Sequence, residues 1–233
     1  MSKNKLKKFS EMETFQRVYQ PAIEDVIDKD FYLKGQWAES VFKNTHPILL
    51  ELGCGKGEYT INLAILEPDK NYIGIDIKGA RMWKGAKTAN EKELNNVAFL
   101  RTRIEFIESF FCEGEIDEIW ITFPDPQLKK RRNKKRLTGS IFLNHYRTFL
   151  KDKGIVHLKT DNNVLFNYTC ELAKYNKLEI LNSTDDVYNS KLLDEKLSIK
   201  TSYEKLFLKE GSNINYISFQ LAYETVIREL PEK

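Results

Sequence analysis

Glu51, Gly53, Gly55, Gly57 and Asp76 have the types and spacing to hold an adenosine-containing cofactor. Glycines let a chain turn with positive φ and let its backbone approach a ligand closely. Asp76 follows Gly53 by 23 residues, where a carboxylate accepts both hydroxyl protons of a ribose. Two details separate the candidate cofactors. The dinucleotide fingerprint is G-x-G-x-x-G, whereas this loop reads G-x-G-x-G, and Glu58 stands where the third dinucleotide glycine would be. Glu51 adds a second carboxylate, which attracts the ammonium of a methionine and repels a pyrophosphate. The set points to S-adenosyl-L-methionine rather than a nicotinamide dinucleotide.

Phe123-Pro124-Asp125-Pro126 is the next segment able to do chemistry. Two prolines around one residue remove backbone donors and fix φ, so Asp125 is held at a set angle. The alternative is a plain rigid turn with an exposed aspartate. Three residues later the run Lys129-Lys130-Arg131-Arg132-Asn133-Lys134-Lys135-Arg136 carries seven basic residues and no acid. Further on, Asp161 in Thr160-Asp161-Asn162 either accepts hydrogen bonds from a base or caps the helix that follows; both readings stand. His46, His145 and His157 are scattered without metal spacing, and Cys54 lacks a basic activator. They read as structural or surface residues, with no metal site expected.

The net charge of +3 conceals an asymmetry. Lys3, Lys5, Lys7 and Lys8 with the seven residues of the run account for eleven cations, and the remaining 26 face 34 acids. Positive charge concentrated on an acidic body suits local binding of a polyanion. Such runs also occur as solvated surface, but this one follows the Pro-Asp-Pro segment at the expected ligand edge. Hydrophobic residues at 41% and charged at 30% describe an ordinary globular chain. No apolar run approaches the roughly 20 residues that span a bilayer, and the N-terminus has no secretory h-region. Three cysteines without disulfide or metal spacing favour a reducing compartment, hence the cytoplasm.

These residues need elements to position them. A polar arm to about residue 20 and a first helix near 21–29 precede alternating strands and helices. Strands are expected at 47–52, 71–76, 97–101, 116–123 and 154–159, with helices at 58–67, to about 92, 104–111 and 162–175. Ile141, Phe142, Tyr146, Phe149 and Leu150 recur at helical spacing. The stretches 177–183 and 215–223 read as a strand pair with no clear helix between them. The result is one domain over residues 1–233 of α/β class, with a mostly parallel sheet and an antiparallel C-terminal pair. Ligands bind such sheets at the carboxyl ends of the strands, where every motif above falls.

Together ELGCGKG, FPDPQLKKRRNKKR, HLKTD and TSYE, in this order, resemble the bacterial tRNA (guanine-N7-)-methyltransferases, the TrmB family, over about residues 7–224. The resemblance implies a Rossmann-like methyltransferase fold. It implies methyl transfer to N7 of a guanine in tRNA, at the variable-loop position conventionally numbered 46. It assigns Glu51, Asp76 and Asp125 to the cofactor, with Asp125 also catalytic. Lys129, Asp161, Thr201, Ser202, Tyr203 and Glu204 fall to the substrate, and Arg131, Arg132, Asn133, Lys134, Lys135 and Arg136 to RNA. Arg103 stands where the family usually has an acidic residue or Asn, leaving cofactor contact there to the backbone. The tryptophan common after FPDP is replaced by Gln127 and Leu128, and Lys7-Lys8 stand in for an arginine-rich N-terminus.

Guanine N7 carries a lone pair and no proton at neutral pH, so its methylation needs no general base, and positioning dominates. Positive charge develops on the base, where Asp125 and Asp161 would stabilise it. A methyltransferase of another RNA, a small molecule or a protein would share the loop, though a non-RNA substrate leaves the basic run idle. A non-catalytic tRNA-binding protein would have no use for the intact cofactor set.

Overall fold

The computed structural model describes the backbone of residues 3–231 and the side chains of residues 5–231, so the side chain of Lys3 lies outside the described residues. The chain forms two compact units, one ending at Cys112 and the other beginning at Glu113.

The first unit contains α1 (Lys3–Glu13), β1 (Val18–Tyr19), β2 (Ile48–Leu52), α2 (Glu58–Leu66), β3 (Asn71–Ile75), α3 (Gly79–Glu91) and β4 (Val97–Leu100). Its strands lie in the order β1-β4-β3-β2, and every pair is parallel. All residues of β2, β3 and β4 are buried, as expected for strands covered on both faces. Phe99 of β4 sets the depth at which the helices dock. A Cβ on Gly57, Gly74 or Gly85 would come within 2.8 Å of its ring, so only glycines let the start of α2, strand β3 and helix α3 share it.

The stretch expected as a polar arm forms α1, which packs on α3. There Trp83 Nε1 donates to Glu11 at 2.9 Å, the Lys8 ammonium lies 4.5 Å over the Trp83 ring, and Arg101 stacks 4.5 Å over Phe9. The helix expected near 21–29 is a single 3₁₀ turn, Ile23–Asp25. Asp28 turns left-handed (φ 54°), and Phe31 N–H donates to Ser109 O at 2.8 Å. These contacts take the chain out of helix. Phe31 belongs to an aromatic cluster with Tyr19, Trp37 and Phe110.

The second unit contains β5 (Ile116–Thr122), α4 (Ser140–Tyr146), β6 (Leu150–Thr160), α5 (Asn163–Tyr175), β7 (Ile180–Thr184), α6 (Glu195–Ser198), α7 (Ser202–Lys209) and β8 (Asn215–Leu221). Its strand order is β5-β6-β8-β7. Strands β5 and β6 are parallel, whereas β6–β8 and β8–β7 are antiparallel. The α/β reading with an antiparallel C-terminal pair therefore holds. Two local expectations do not. Helix α4 stops at Tyr146, and Leu150 instead opens β6 opposite Ile116. Helices α6 and α7 occupy the segment expected to lack them, started by Asp194 and Thr201 accepting from the N–H groups of Leu197 and Glu204. Helix α6, with four residues, is too short to show an apolar stripe, and α7 carries Tyr203, Leu206 and Phe207 at helical spacing but buries only Glu204. Among the described residues no helix is long and apolar enough to cross a membrane.

Candidate active site

In the first unit the loop from β2 to α2 is built on three left-handed glycines, Gly53 (φ 76°), Gly55 (φ 56°) and Gly57 (φ 67°). Gly53 and Cys54 both donate N–H to Ile75 O, at 2.8 and 3.0 Å. Asp76 fastens the loop further. Its Oδ2 accepts from Gly55 N at 2.9 Å and its Oδ1 from Lys78 N at 2.6 Å. A carboxylate offers about four lone-pair sites, so one on each oxygen remains, matching the two hydroxyl donors of a ribose. The loop and Asp76 thus fit an adenosine-containing cofactor.

Glu51 is buried on β2. Its Oε2 accepts from the backbone N–H of Thr60 at 2.8 Å and from the Thr60 hydroxyl. Thr60 is the third residue of α2, whose N-cap position is the side-chain-free Gly57. Glu51 therefore supplies from the sheet the helix cap that Gly57 lacks. Cys54 is also buried, and burial, aided by the charges of Glu51 and Asp76, pushes its thiol well above the ordinary range. That argues against a thiolate nucleophile. Arg103 follows β4, is exposed, and pairs with Glu105 at 3.3 Å.

In the second unit the Phe123–Pro126 segment is bracketed by two non-glycine residues in left-handed backbone, Phe123 (φ 49°) and Gln127 (φ 50°). Such conformations cost on the order of 1–3 kcal/mol each and persist only where the surroundings impose them. Here Phe123 N–H donates to Lys159 O at 2.8 Å, and Gln127 N–H closes a turn onto Asp125 Oδ1 at 3.0 Å. Asp125 is exposed and oriented.

Asp161 is not the helix cap. Asn162 caps α5, its Oδ1 accepting from Leu165 N at 3.0 Å, so the capping alternative falls. Asp161 lies half-buried in an open polar cleft of about 570 Å³. Asn163, Asn167, Asp185, Asn213 and Asn215 also line it. Burial raises the Asp161 pKa, offset by a hydrogen bond to its own backbone and reinforced by Glu210. Asn215 is fully buried and donates to Thr160 O at 3.1 Å and Asn163 Oδ1 at 3.0 Å.

The TSYE segment divides between inside and outside. Thr201 is the N-cap of α7 and Glu204 is fully buried, whereas Tyr203 is 39% exposed. Glu204 Oε1 meets Lys159 Nζ at 2.7 Å and accepts from the Tyr188 hydroxyl at 2.6 Å. Both members of this ion pair have no exposed side-chain surface. Removing one partner of such a pair costs about 3–5 kcal/mol. Sequence reasoning passed over Lys159. Its signal was a lysine inside the apolar strand GIVHLK, where a charge requires a partner.

The basic run forms a 3₁₀ turn, Lys130–Lys135, led by the exposed Lys129. Arg131, Arg132, Lys134 and Lys135 are exposed and Asn133 is half-buried. Arg136 turns inward, with 6% exposure, donating to Pro126 O at 3.2 Å and stacking 4.3 Å over Tyr168. It braces the Pro-Asp-Pro segment instead of facing solvent. His157 is buried as expected of a structural histidine, stacked 3.9 Å from Trp120 with Nδ1 2.8 Å from the Tyr216 hydroxyl.

The family described as "Putative methyltransferase" matches residues 45–217. The chain is 53% identical to a tRNA (guanine-N(7)-)-methyltransferase of Christiangramia forsetii, over 94% of this chain and 99% of that protein. It is 51% identical to the protein of the same name from Bacteroides thetaiotaomicron, over 98% of this chain and 90% of that one. Among solved structures, the 16S rRNA methyltransferase KamB is similar at a TM-score of 0.61 and 12% identity, over 79% of this chain and 92% of its own. That likeness concerns the fold.

Proposed function

From the chain's membership of the tRNA (guanine-N(7)-)-methyltransferase family, we infer that it transfers a methyl group from S-adenosyl-L-methionine to N7 of a guanine in tRNA. The observation carrying the cofactor part of this reading is the loop of three left-handed glycines fastened to Asp76. The cofactor supplies an electrophilic methyl group on a sulfonium. The protein's task is placement, because N7 presents its lone pair without help.

We assign Asp76 to the ribose hydroxyls, the backbone of Gly53, Gly55, Gly57 and Arg103 to the remaining cofactor contacts, and Glu51 to the methionine ammonium. Asp125 is assigned to the cofactor and to the reacting centre. The stiffness of its segment supports this role, since a group held before reaction loses little on organising. Asp161 accepts from the N1–H and amine of guanine, a reading supported by its freedom from capping and its place in a polar cleft. Lys129, the half-buried Ser202 and the exposed Tyr203 join it on the substrate. The exposed Arg131, Arg132, Lys134 and Lys135 take phosphates. The acceptor is the variable-loop guanine at conventional position 46, the whole chain acts as one methyltransferase domain, and the site of action is the cytoplasm.

Incubation with labelled S-adenosyl-L-methionine and unmodified tRNA, followed by mapping of the modified base, tests the reading. Label on 7-methylguanosine at position 46 is expected. Label on another base or position, or none, would refute it.

A further inference from the structure

Lys159 grips two other motifs of its unit through different atoms. Its carbonyl accepts from Phe123 N–H at 2.8 Å, where the Phe123–Pro126 segment leaves β5. Its ammonium donates to Leu197 O at 2.7 Å and Ile199 O at 3.0 Å and pairs with Glu204 Oε1 at 2.7 Å. Three acceptors match the three N–H bonds of an ammonium. Leu197 and Ile199 lie at the end of α6 and Glu204 in the first turn of α7. One buried cation thus ties the end of α6 to the first turn of α7, the turn that carries the half-buried Ser202 and the exposed Tyr203. Asp161 stands two residues further along the same chain.

A buried ion pair is a poor device for stability alone, because apolar residues of similar volume often hold a fold as well or better. Burial pulls the Lys159 ammonium pKa down while Glu204 pulls it back. The charge is therefore kept against a cost. Three directed acceptors give what an apolar plug does not, namely an orientation.

We propose that Lys159 is a positioning residue for tRNA, holding α7 so that Ser202 and Tyr203 stand in register with Asp161, and that Glu204 serves as its counter-ion and not as a substrate ligand. This rests on the substrate-binding role given above to Asp161, Ser202 and Tyr203. Glu204 is suited to the part, being wholly buried with Oε1 shared between Lys159 and Tyr188.

The test compares Lys159→Met, Glu204→Leu, the double variant and Glu204→Gln. Melting temperature, cofactor Kd and steady-state kinetics with tRNA are measured, each variant at a temperature where it is folded. Both charge-breaking single variants should melt lower, and the double variant should recover most of that loss. It should bind S-adenosyl-L-methionine within about twofold of the parent yet show a KM for tRNA raised at least about tenfold, the signature of lost binding. Glu204→Gln keeps an acceptor for Lys159 and should raise KM by no more than about threefold. Parental KM in a double variant of recovered stability would overturn the proposal. Should the double variant not fold, Glu204→Gln decides. A KM raised about tenfold or more in that variant makes Glu204 a substrate ligand and overturns the assignment. A parent that leaves guanine N7 unmethylated would fail the proposed function instead.

Discussion

Glu51 caps a helix to which it does not belong: its Oε2 receives both the N–H and the hydroxyl of Thr60, the third residue of α2. The carboxylate that the loop would present to a methionine ammonium is thereby locked in orientation. Glu51→Gln should separate the two duties. The amide still accepts from Thr60, so melting should drop by only a few degrees, a shift of about 1 kcal/mol being worth 2–4 °C at this size. Loss of the charge should raise the cofactor Kd roughly tenfold. Unchanged affinity by calorimetry would leave Glu51 as a cap alone.

Asp76→Ala removes the acceptor for Gly55 and Lys78 together with the proposed ribose acceptor. A hydrogen bond to a charged group is worth roughly 1.5–3 kcal/mol, so cofactor affinity should fall about 10- to 100-fold. Parental affinity in a folded variant would show that the ribose is held elsewhere.

Arg131, Arg132, Lys134 and Lys135 are exposed, whereas Arg136 is buried against Tyr168 and Pro126. Replacing the first four by Gln should raise the KM for tRNA and flatten its salt dependence by about 0.7–0.9 in log–log slope per lost phosphate contact. Arg136→Gln should instead lower the melting temperature and leave that slope unchanged. A slope that falls with Arg136→Gln and stays with the fourfold variant would reverse the assignment.

Asp161 and Asn162 make a matched pair of controls. Asn162→Ala loses the α5 cap and should cost about 1 kcal/mol of stability with kcat unchanged. Asp161→Asn should leave stability intact or higher. The folded pKa of Asp161 is raised by burial, so its contribution is present below the unfolded value and is lost as pH rises through the folded one. Ionised Asp161 is thus mildly unfavourable at neutral pH, and Asn relieves this. Activity should move the other way, with kcat for tRNA falling and guanine recognition weakened. A parental kcat in Asp161→Asn would remove it from the chemistry.

Much of this was legible because it depends on neighbours in the chain. Gly53, Gly55 and Gly57 announce left-handed backbone, Pro124 and Pro126 announce a stiff segment, and buried parallel strands read as apolar runs. What misled was local competition. Thr160-Asp161-Asn162 offers three capping residues in a row, and only packed backbone shows that Asn162 takes the position. The sequence places a first helix at 21–29, where Asp28 turns left-handed and Phe31 donates to Ser109, while Glu11 of α1 is held by Trp83 across the unit.

The sequence by itself determined the chemistry on offer: a glycine loop with two carboxylates, an aspartate between prolines, a block of cations and the family these motifs mark. Residue type and spacing along the chain suffice for that, since turns, strands and charge density are short-range properties. Only the tertiary structure decided which polar groups are spent on the fold. Glu51 and Thr60, Lys159 and Glu204, and Arg136 and Tyr168 are separated by 9, 45 and 32 positions. A buried charge requires a partner wherever the chain brings one, and no local pattern says from which distant segment that partner will come.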